Sequence, residues 1–172
     1  MLRILRERII KGIVTRHIDP EITREIKAAG LELDLVIRKK FGKSLNIREV
    51  DTGSCSGCES EIISATNPIY DLQRFGVSFV ASPRHADALL VTGPLSKNML
   101  LALKKTYDAM PEPKFVITLG DCALDGGMFK DSYYTEGGIK NHLPVALHIP
   151  GCPPNPLQII RALLVFLKQP NI

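Results

Sequence analysis

The sequence predicts an α/β protein, with a mainly parallel sheet covered by helices on both faces and a helical arm in front of it. Three observations carry that expectation. From Ser44 onward, short apolar runs of strand length alternate with segments whose apolar residues fall three or four apart. Strands separated by helices imply a parallel sheet packed on both sides. Before Lys43 the helical period is the only one present, so the strand pattern begins after an N-terminal extension.

The elements follow in order. Leu2, Leu5, Ile9 and Ile13 form one apolar stripe among arginines. Asp19-Pro20 is a helix start, with Asp at the N-cap and Pro at the first helical position, and Gly30 and Gly42 read as punctuation. Leu45 to Val50 is a strand, and Glu59 to Thr66 a helix that ends before Asn67-Pro68. Val77 to Ala81 and Ala88 to Thr92 are short apolar runs. Leu95, Met99, Leu103, Tyr107 and Met110 mark a helical face with Ser96 as its cap. Phe115 to Leu119 and Val145 to Ile149 are buried-type strands, and Pro156 to Lys168 is a final helix. Residues 1–43 are thus expected to form a basic arm, and residues 44–172 a flavodoxin-like, three-layer α/β domain.

A length of 172 residues suits one domain with extra material at an end, and it supports a core without disulfide staples. Hydrophobic residues at 45% and charged residues at 23% exclude disordered and fibrous classes. The net charge of +4 is too modest to call for nucleic acid. It is uneven, however. Arg3, Arg6, Arg8, Lys11, Arg16, Arg24, Lys27, Arg38, Lys39, Lys40 and Lys43 place half of the basic residues in the first quarter of the chain. Such an arm suits an acidic partner or an anionic membrane surface. The most apolar run, Ile159 to Leu167, is short and interrupted by Arg161, so no membrane span is expected. Basic residues break every apolar stretch at the N-terminus, which argues against a signal peptide and for the cytoplasm. In that compartment cysteines are metal ligands or redox groups more often than disulfides.

The four cysteines are Cys55, Cys58, Cys122 and Cys152, and each follows a predicted strand. In an open α/β sheet the loops at the carboxyl ends of parallel strands share one edge, where ligands bind. Three loops far apart in sequence can therefore deliver four thiols to one place. Four thiolates suit zinc or an iron–sulfur cluster. Small zinc modules use two tight C-x-x-C knuckles; here Cys55-Ser56-Gly57-Cys58 is single, and the other two thiols are isolated, which fits a cluster better. Gly57 is expected to let the backbone approach the group closely. Cys58 opens a predicted helix, whose N–H groups favour an anion. Gly151-Cys152-Pro153-Pro154 is a loop with little freedom.

The same region also spells Asp51-Thr52-Gly53-Ser54, the D-T-G-S string of aspartic proteases. That chemistry needs two carboxylates sharing a proton. No second D-[ST]-G occurs, since Asp125-Gly126-Gly127 lacks the hydroxyl residue, and the alternating strands and helices do not suit an all-β enzyme. The string is a chance match.

Several motifs taken together resemble the iron–sulfur small subunit of [NiFe] hydrogenases and its relative, the 20-kDa cluster-bearing subunit of respiratory complex I. They are Cys55-Ser56-Gly57-Cys58-Glu59-Ser60-Glu61, Ser82-Pro83-Arg84-His85-Ala86-Asp87, Leu90-Val91-Thr92-Gly93-Pro94, Gly120-Asp121-Cys122 with Gly126-Gly127-Met128-Phe129, and Pro150-Gly151-Cys152-Pro153-Pro154. They run in order from Asp51 to about Leu164. Complex I subunits are expected to carry adjacent cysteines at the first pair, whereas the Ser-Gly spacer is the hydrogenase form. The chain ends at Ile172, without the further C-terminal domain and export signal expected of uptake hydrogenases. The resemblance is therefore closest to the small subunit of group 4, membrane-bound, energy-converting hydrogenases, with quinone- and sulfur-reducing complexes as the alternative.

That resemblance implies that Cys55, Cys58, Cys122 and Cys152 hold one [4Fe-4S] cluster proximal to the catalytic centre. It implies an electron-transfer subunit with no catalytic residue of its own, placed peripherally on the cytoplasmic face of the membrane. Its partners would be the large [NiFe] subunit, a ferredoxin-like two-cluster subunit and membrane-embedded antiporter-like subunits. Glu61, Arg84 and His85 are expected near the cluster as tuning or proton-relay groups. Tyr70, Met128, Phe129, Tyr133 and Tyr134 are expected to anchor the large subunit. His17, His142 and His148 carry no signal.

Overall fold

The computed structural model describes residues 2–12 and 19–170; Ile13, Arg16 and His17 lie outside them. Helices α1 (Leu2–Lys11) and α2 (Pro20–Phe41) come first, followed by β1 (Leu45–Asp51), α3 (Gly57–Ala65), β2 (Val77–Phe79) and β3 (Ala88–Thr92). Then come α4 (Lys97–Asp108), β4 (Phe115–Leu119), α5 (Asp121–Asp125), β5 (Val145–Ile149) and α6 (Pro156–Leu167). The five strands stand in the order β2-β1-β3-β4-β5, and all four pairings are parallel. This is the flavodoxin-like strand order.

Two apolar clusters flank the sheet. Leu45, Ile47, Ala88, Leu90, Ile117 and Leu119 face one of them, together with Ile26, Leu33 and Ile37 of α2 and Ile159, Ile160, Leu163 and Leu164 of α6. Val50, Leu89, Val91 and Val116 face the other, which holds Leu103 of α4. The period of two along each strand thus sorts neighbouring residues to opposite layers. Buried runs such as Ala88–Thr92 have no polar alternation because both sides are covered.

Helix α2, which precedes residue 43, packs against the core. Ile26, Gly30, Leu33 and Ile37 recur at helical spacing and are buried, so α2 is a layer of the domain. Its ends follow the sequence signals. Asp19 accepts from the Glu21 amide at 2.9 Å, Pro20 opens the helix, and Gly42 closes it at φ 64. Gly30 does not punctuate. It lies mid-helix against the Phe75 ring, where a Cβ would overlap the aromatic carbons. Ser96 holds the cap position of α4 without a side-chain capping bond. At α6, by contrast, Asn155 and Gln158 form a reciprocal capping box. No helix among the described residues is long and apolar enough to cross a membrane.

Candidate metal centre

The thiol site forms at the carboxyl ends of β1, β4 and β5. The β1 loop must first cross the end of β3, and its small residues make that possible. Asp51 Oδ1 accepts from the Gly53 and Ser54 amides, both at 2.7 Å, closing a tight turn. Thr52 is fully buried, and its hydroxyl meets the Thr92 and Gly93 carbonyls at 2.8 and 3.0 Å. Gly93 stands so close that a Cβ on it would lie 2.5 Å from the Ser54 backbone. The D-T-G-S string is thereby accounted for as a turn: its carboxylate is engaged by backbone amides, and it presents Cys55.

Cys58 is the second residue of α3, and Cys122 is the second residue of α5, a short helix where the sequence predicts only a loop. Cys152 follows β5 and is exposed, as is Cys55; Cys58 and Cys122 are half-buried. The closest backbone approach is at Gly120. Its φ of 84 and ψ of 152 suit glycine, and a Cβ there would sit 2.7 Å from Cys58 Sγ. The loops of the first pair and of Cys122 are thus in contact. Gly57, the glycine expected to matter, lies between Cys55 Sγ and Pro153 with room for a Cβ at 3.5 and 3.7 Å. The functional glycine that sequence reasoning passed over is Gly120, although its place before Asp121-Cys122 was a signal.

Electrostatics ties the four sulfurs together. Burial pushes the Cys58 thiol up to about 12 from an ordinary 9.0, and the charges of Glu59, Cys55, Cys122 and Cys152 add to that, in that order. Cys122 is also raised, by burial first and then by Cys152, Cys55 and Asp121. Both thiols are therefore protonated at neutral pH and must release those protons on binding a metal.

The loops of Cys122 and Cys152 are joined through Asp121. Its amide donates to the Gly151 carbonyl at 3.0 Å, and its carboxylate accepts from the Gly151 amide at 3.0 Å. His148 stands behind this pair. Its Nε2 is 3.8 Å from Asp121 Oδ1, and its Nδ1 is 2.9 Å from the hydroxyl of buried Thr118. Nothing in the sequence distinguished His148, because its role depends on β4 and β5 being neighbours.

The remaining expected residues are placed as follows. Glu61 is half-buried on α3, but the carboxylate that acts on Cys58 is that of Glu59. Both Glu59 oxygens are buried without a hydrogen-bond partner. The structure does not gather Arg84 and His85 with the thiols. Their segment is fastened at both ends to the amino half of β1, by the Val80 amide on the Ile47 carbonyl at 2.9 Å and the Asp87 amide on the Asn46 carbonyl at 2.8 Å. Of the expected anchors, Tyr70 packs against the core. Met128, Phe129, Tyr133 and Tyr134, in the segment that follows Cys122, are exposed, with Met128 and Tyr133 at 82% and 88%.

Comparison with known proteins agrees with this architecture. The family model for the NADH ubiquinone oxidoreductase 20 Kd subunit matches residues 55–166, which contain all four cysteines. The probable membrane-bound hydrogenase subunit mbhJ of Pyrococcus furiosus is 44% identical over 131 residues, covering 76% of this chain and 78% of that protein. An NADH-quinone oxidoreductase subunit of Clostridium beijerinckii is 48% identical over 113 residues, covering 65% of this chain and 67% of that one. Among solved structures, a chain of the membrane-bound sulfane sulfur reductase, an archaeal respiratory membrane complex, superposes with a TM-score of 0.64 at 32% identity. That match covers 75% of this chain and 73% of the other. With the family model spanning well over half of its length, the chain belongs to the family of the NADH ubiquinone oxidoreductase 20 Kd subunit.

Proposed function

We propose that this chain is the electron-transfer subunit of a membrane-bound hydrogenase complex, and that Cys55, Cys58, Cys122 and Cys152 hold one [4Fe-4S] cluster. The observation that carries the reading is the convergence of three loops at one sheet edge: Gly120 lies against Cys58 Sγ and the Gly151 carbonyl, and Gly57 lies between Cys55 Sγ and Pro153. The donor set fits the group. Four thiols from three loops suit an iron–sulfur cluster, and Gly120 keeps the space beside Cys58 Sγ free of a side chain.

When bound, the cluster supplies one-electron transfer between the electron donor and the catalytic centre of the large subunit. The chain's own residues hold it and shape its surroundings. Cys58 and Cys122 stand in the first turns of α3 and α5, and the start of a helix such as α3 favours an anionic group. The Asp121–Gly151 pair fixes the spacing of two ligand loops. The exposed Met128, Phe129, Tyr133 and Tyr134, in the segment after Cys122, offer apolar surface for the large subunit. On this reading a ferredoxin-like two-cluster subunit delivers electrons, and the whole sits peripherally at the cytoplasmic face of the membrane on antiporter-like subunits.

The Ser-Gly spacer and the likeness to the Pyrococcus subunit favour hydrogenase. The likeness to the sulfane sulfur reductase favours, as second reading, the equivalent subunit of a sulfur- or quinone-reducing complex. Two measurements test these readings. Iron and acid-labile sulfide analysis, with EPR of the reduced protein, is expected to give one four-iron cluster per chain; zinc without iron or sulfide refutes it. The co-purifying large subunit then decides the reaction: two intact C-x-x-C nickel motifs and hydrogen evolution mean hydrogenase, and their loss means the second reading.

A further inference from the structure

We infer that the outer faces of α1 and α2 form a docking surface for an anionic lipid bilayer. Charge is partitioned along the chain. The first 43 residues carry eleven basic and six acidic side chains, and the rest of the chain carries eleven and twelve. The net positive charge thus resides entirely in the N-terminal quarter.

Folding separates those charges further. On α2 the buried residues Ile26, Gly30, Leu33 and Ile37 fix the inner face. Arg24, Lys27, Leu31, Leu35 and Arg38 recur at helical spacing on the opposite side, and all five are exposed. Two acidic residues of α2 are drawn away from that side, Glu25 by Arg161 and Glu32 by Lys168, both on or just after α6, the latter at 2.7 Å, while Glu21 stays exposed in the first turn. Asp34 binds Arg38 at 2.8 Å. Arg24, Lys27 and Lys39 are left facing solvent beside Leu31 and Leu35, which are 50% and 68% exposed. Helix α1 repeats the composition. Arg6, Arg8 and Lys11 are exposed around Ile9 and Ile10, at 82% and 64%, and Glu7 is engaged with Lys11 at 2.8 Å.

Cationic side chains interleaved with bare aliphatics on a helix match an interfacial lipid surface, where charge attracts anionic headgroups and the aliphatics enter the acyl boundary. An acidic protein or nucleic acid would use the charges and leave Ile9, Ile10, Leu31 and Leu35 exposed. On α2 this side lies away from the buried face of the helix, and the thiols stand at the carboxyl ends of the strands, so the thiol edge is left for a protein partner.

The test is flotation of the full chain with vesicles of phosphatidylcholine alone and of phosphatidylcholine with phosphatidylglycerol. The chain is expected to float with the anionic vesicles only, and to be released at high salt. Neutralising Arg6→Gln and Arg8→Gln together is expected to weaken binding about 25-fold, because each basic residue near such a surface contributes about fivefold. Ile9→Ser with Ile10→Ser is expected to lower binding at every salt concentration. These side chains are exposed, so melting temperature and iron content should stay at the native values, which also separates failure here from failure of the cluster assignment. Equal flotation with neutral vesicles, no flotation with either, or native binding by both double variants overturns the inference.

Discussion

Gly120→Ala probes the site at its tightest point. The residue sits at φ 84 and ψ 152, a backbone region that costs a non-glycine residue roughly 1–3 kcal/mol. For a chain of this size each kcal/mol shifts the melting temperature by about 2–4 °C, so the apoprotein should melt about 2–12 °C lower. The added methyl carbon would also lie 2.7 Å from Cys58 Sγ. Non-bonded atoms of this kind settle at about 3.5–4.0 Å, so the sulfur must withdraw by about 1 Å. A cysteine side chain is one bond long beyond Cβ, and it can withdraw only by rotating away from its three companions. Functional constellations tolerate displacements of about 0.5 Å, so the variant should purify with little iron and acid-labile sulfide and lack the EPR signal of the reduced cluster. Gly30→Ala is the control: its methyl meets the Phe75 ring, which destabilises the core but leaves the thiols alone, so the folded fraction should keep its iron. A Gly120→Ala protein with native iron, sulfide and spectrum would refute the reasoning.

Four further outcomes follow from the same geometry. Asp51→Asn keeps an acceptor for the Gly53 and Ser54 amides and should retain the cluster. Asp51→Ala loses both bonds and should lower stability by about 1 kcal/mol in a thermal melt, without any change in peptidase activity. Burial pushes the Glu49 carboxyl above its ordinary 4.5, against the Thr92 hydroxyl at 3.2 Å. The folded state therefore holds that proton more tightly than the unfolded chain, and the associated stability is present below about 4.5 and lost as pH rises through the raised value. Melting of Glu49→Gln against the native protein should show an advantage that grows across that window; a constant difference would contradict it. Lys114 is 9% exposed and donates to the Tyr107 and Met110 carbonyls at 3.0 and 3.3 Å at the end of α4. Lys114→Met should cost about 1–3 kcal/mol in denaturant unfolding while leaving iron content unchanged. Asp121→Ala removes the side-chain half of the tie between the Cys122 and Cys152 loops and leaves the backbone half, and should shift the midpoint potential and EPR line shape with little change in the melting temperature of the apoprotein.

Element types and the ligand set were legible in the order of amino acids alone. Phe115–Leu119 and Val145–Ile149 read as strands to the residue, because an apolar run bounded by Gly, Pro or charged residues leaves few other packed states. Asp19-Pro20 and Gly42 set the ends of α2 through local capping chemistry, which needs no tertiary partner. The four cysteines stood out because each follows a strand and the topology of a parallel sheet gathers such positions.

What those pieces touch was settled by packing in three dimensions. The membership of α2 in the core rests on Ile26, Leu33 and Ile37 finding α6, about 130 residues away in the chain. The exclusive need for glycine at position 120 exists because Cys58 Sγ, from another loop, fills the space a Cβ would take. His148 stands behind Asp121 because β4 and β5 are neighbours in the sheet. Local sequence encodes propensity and period; through-space contact between distant segments arises only once the sheet has closed.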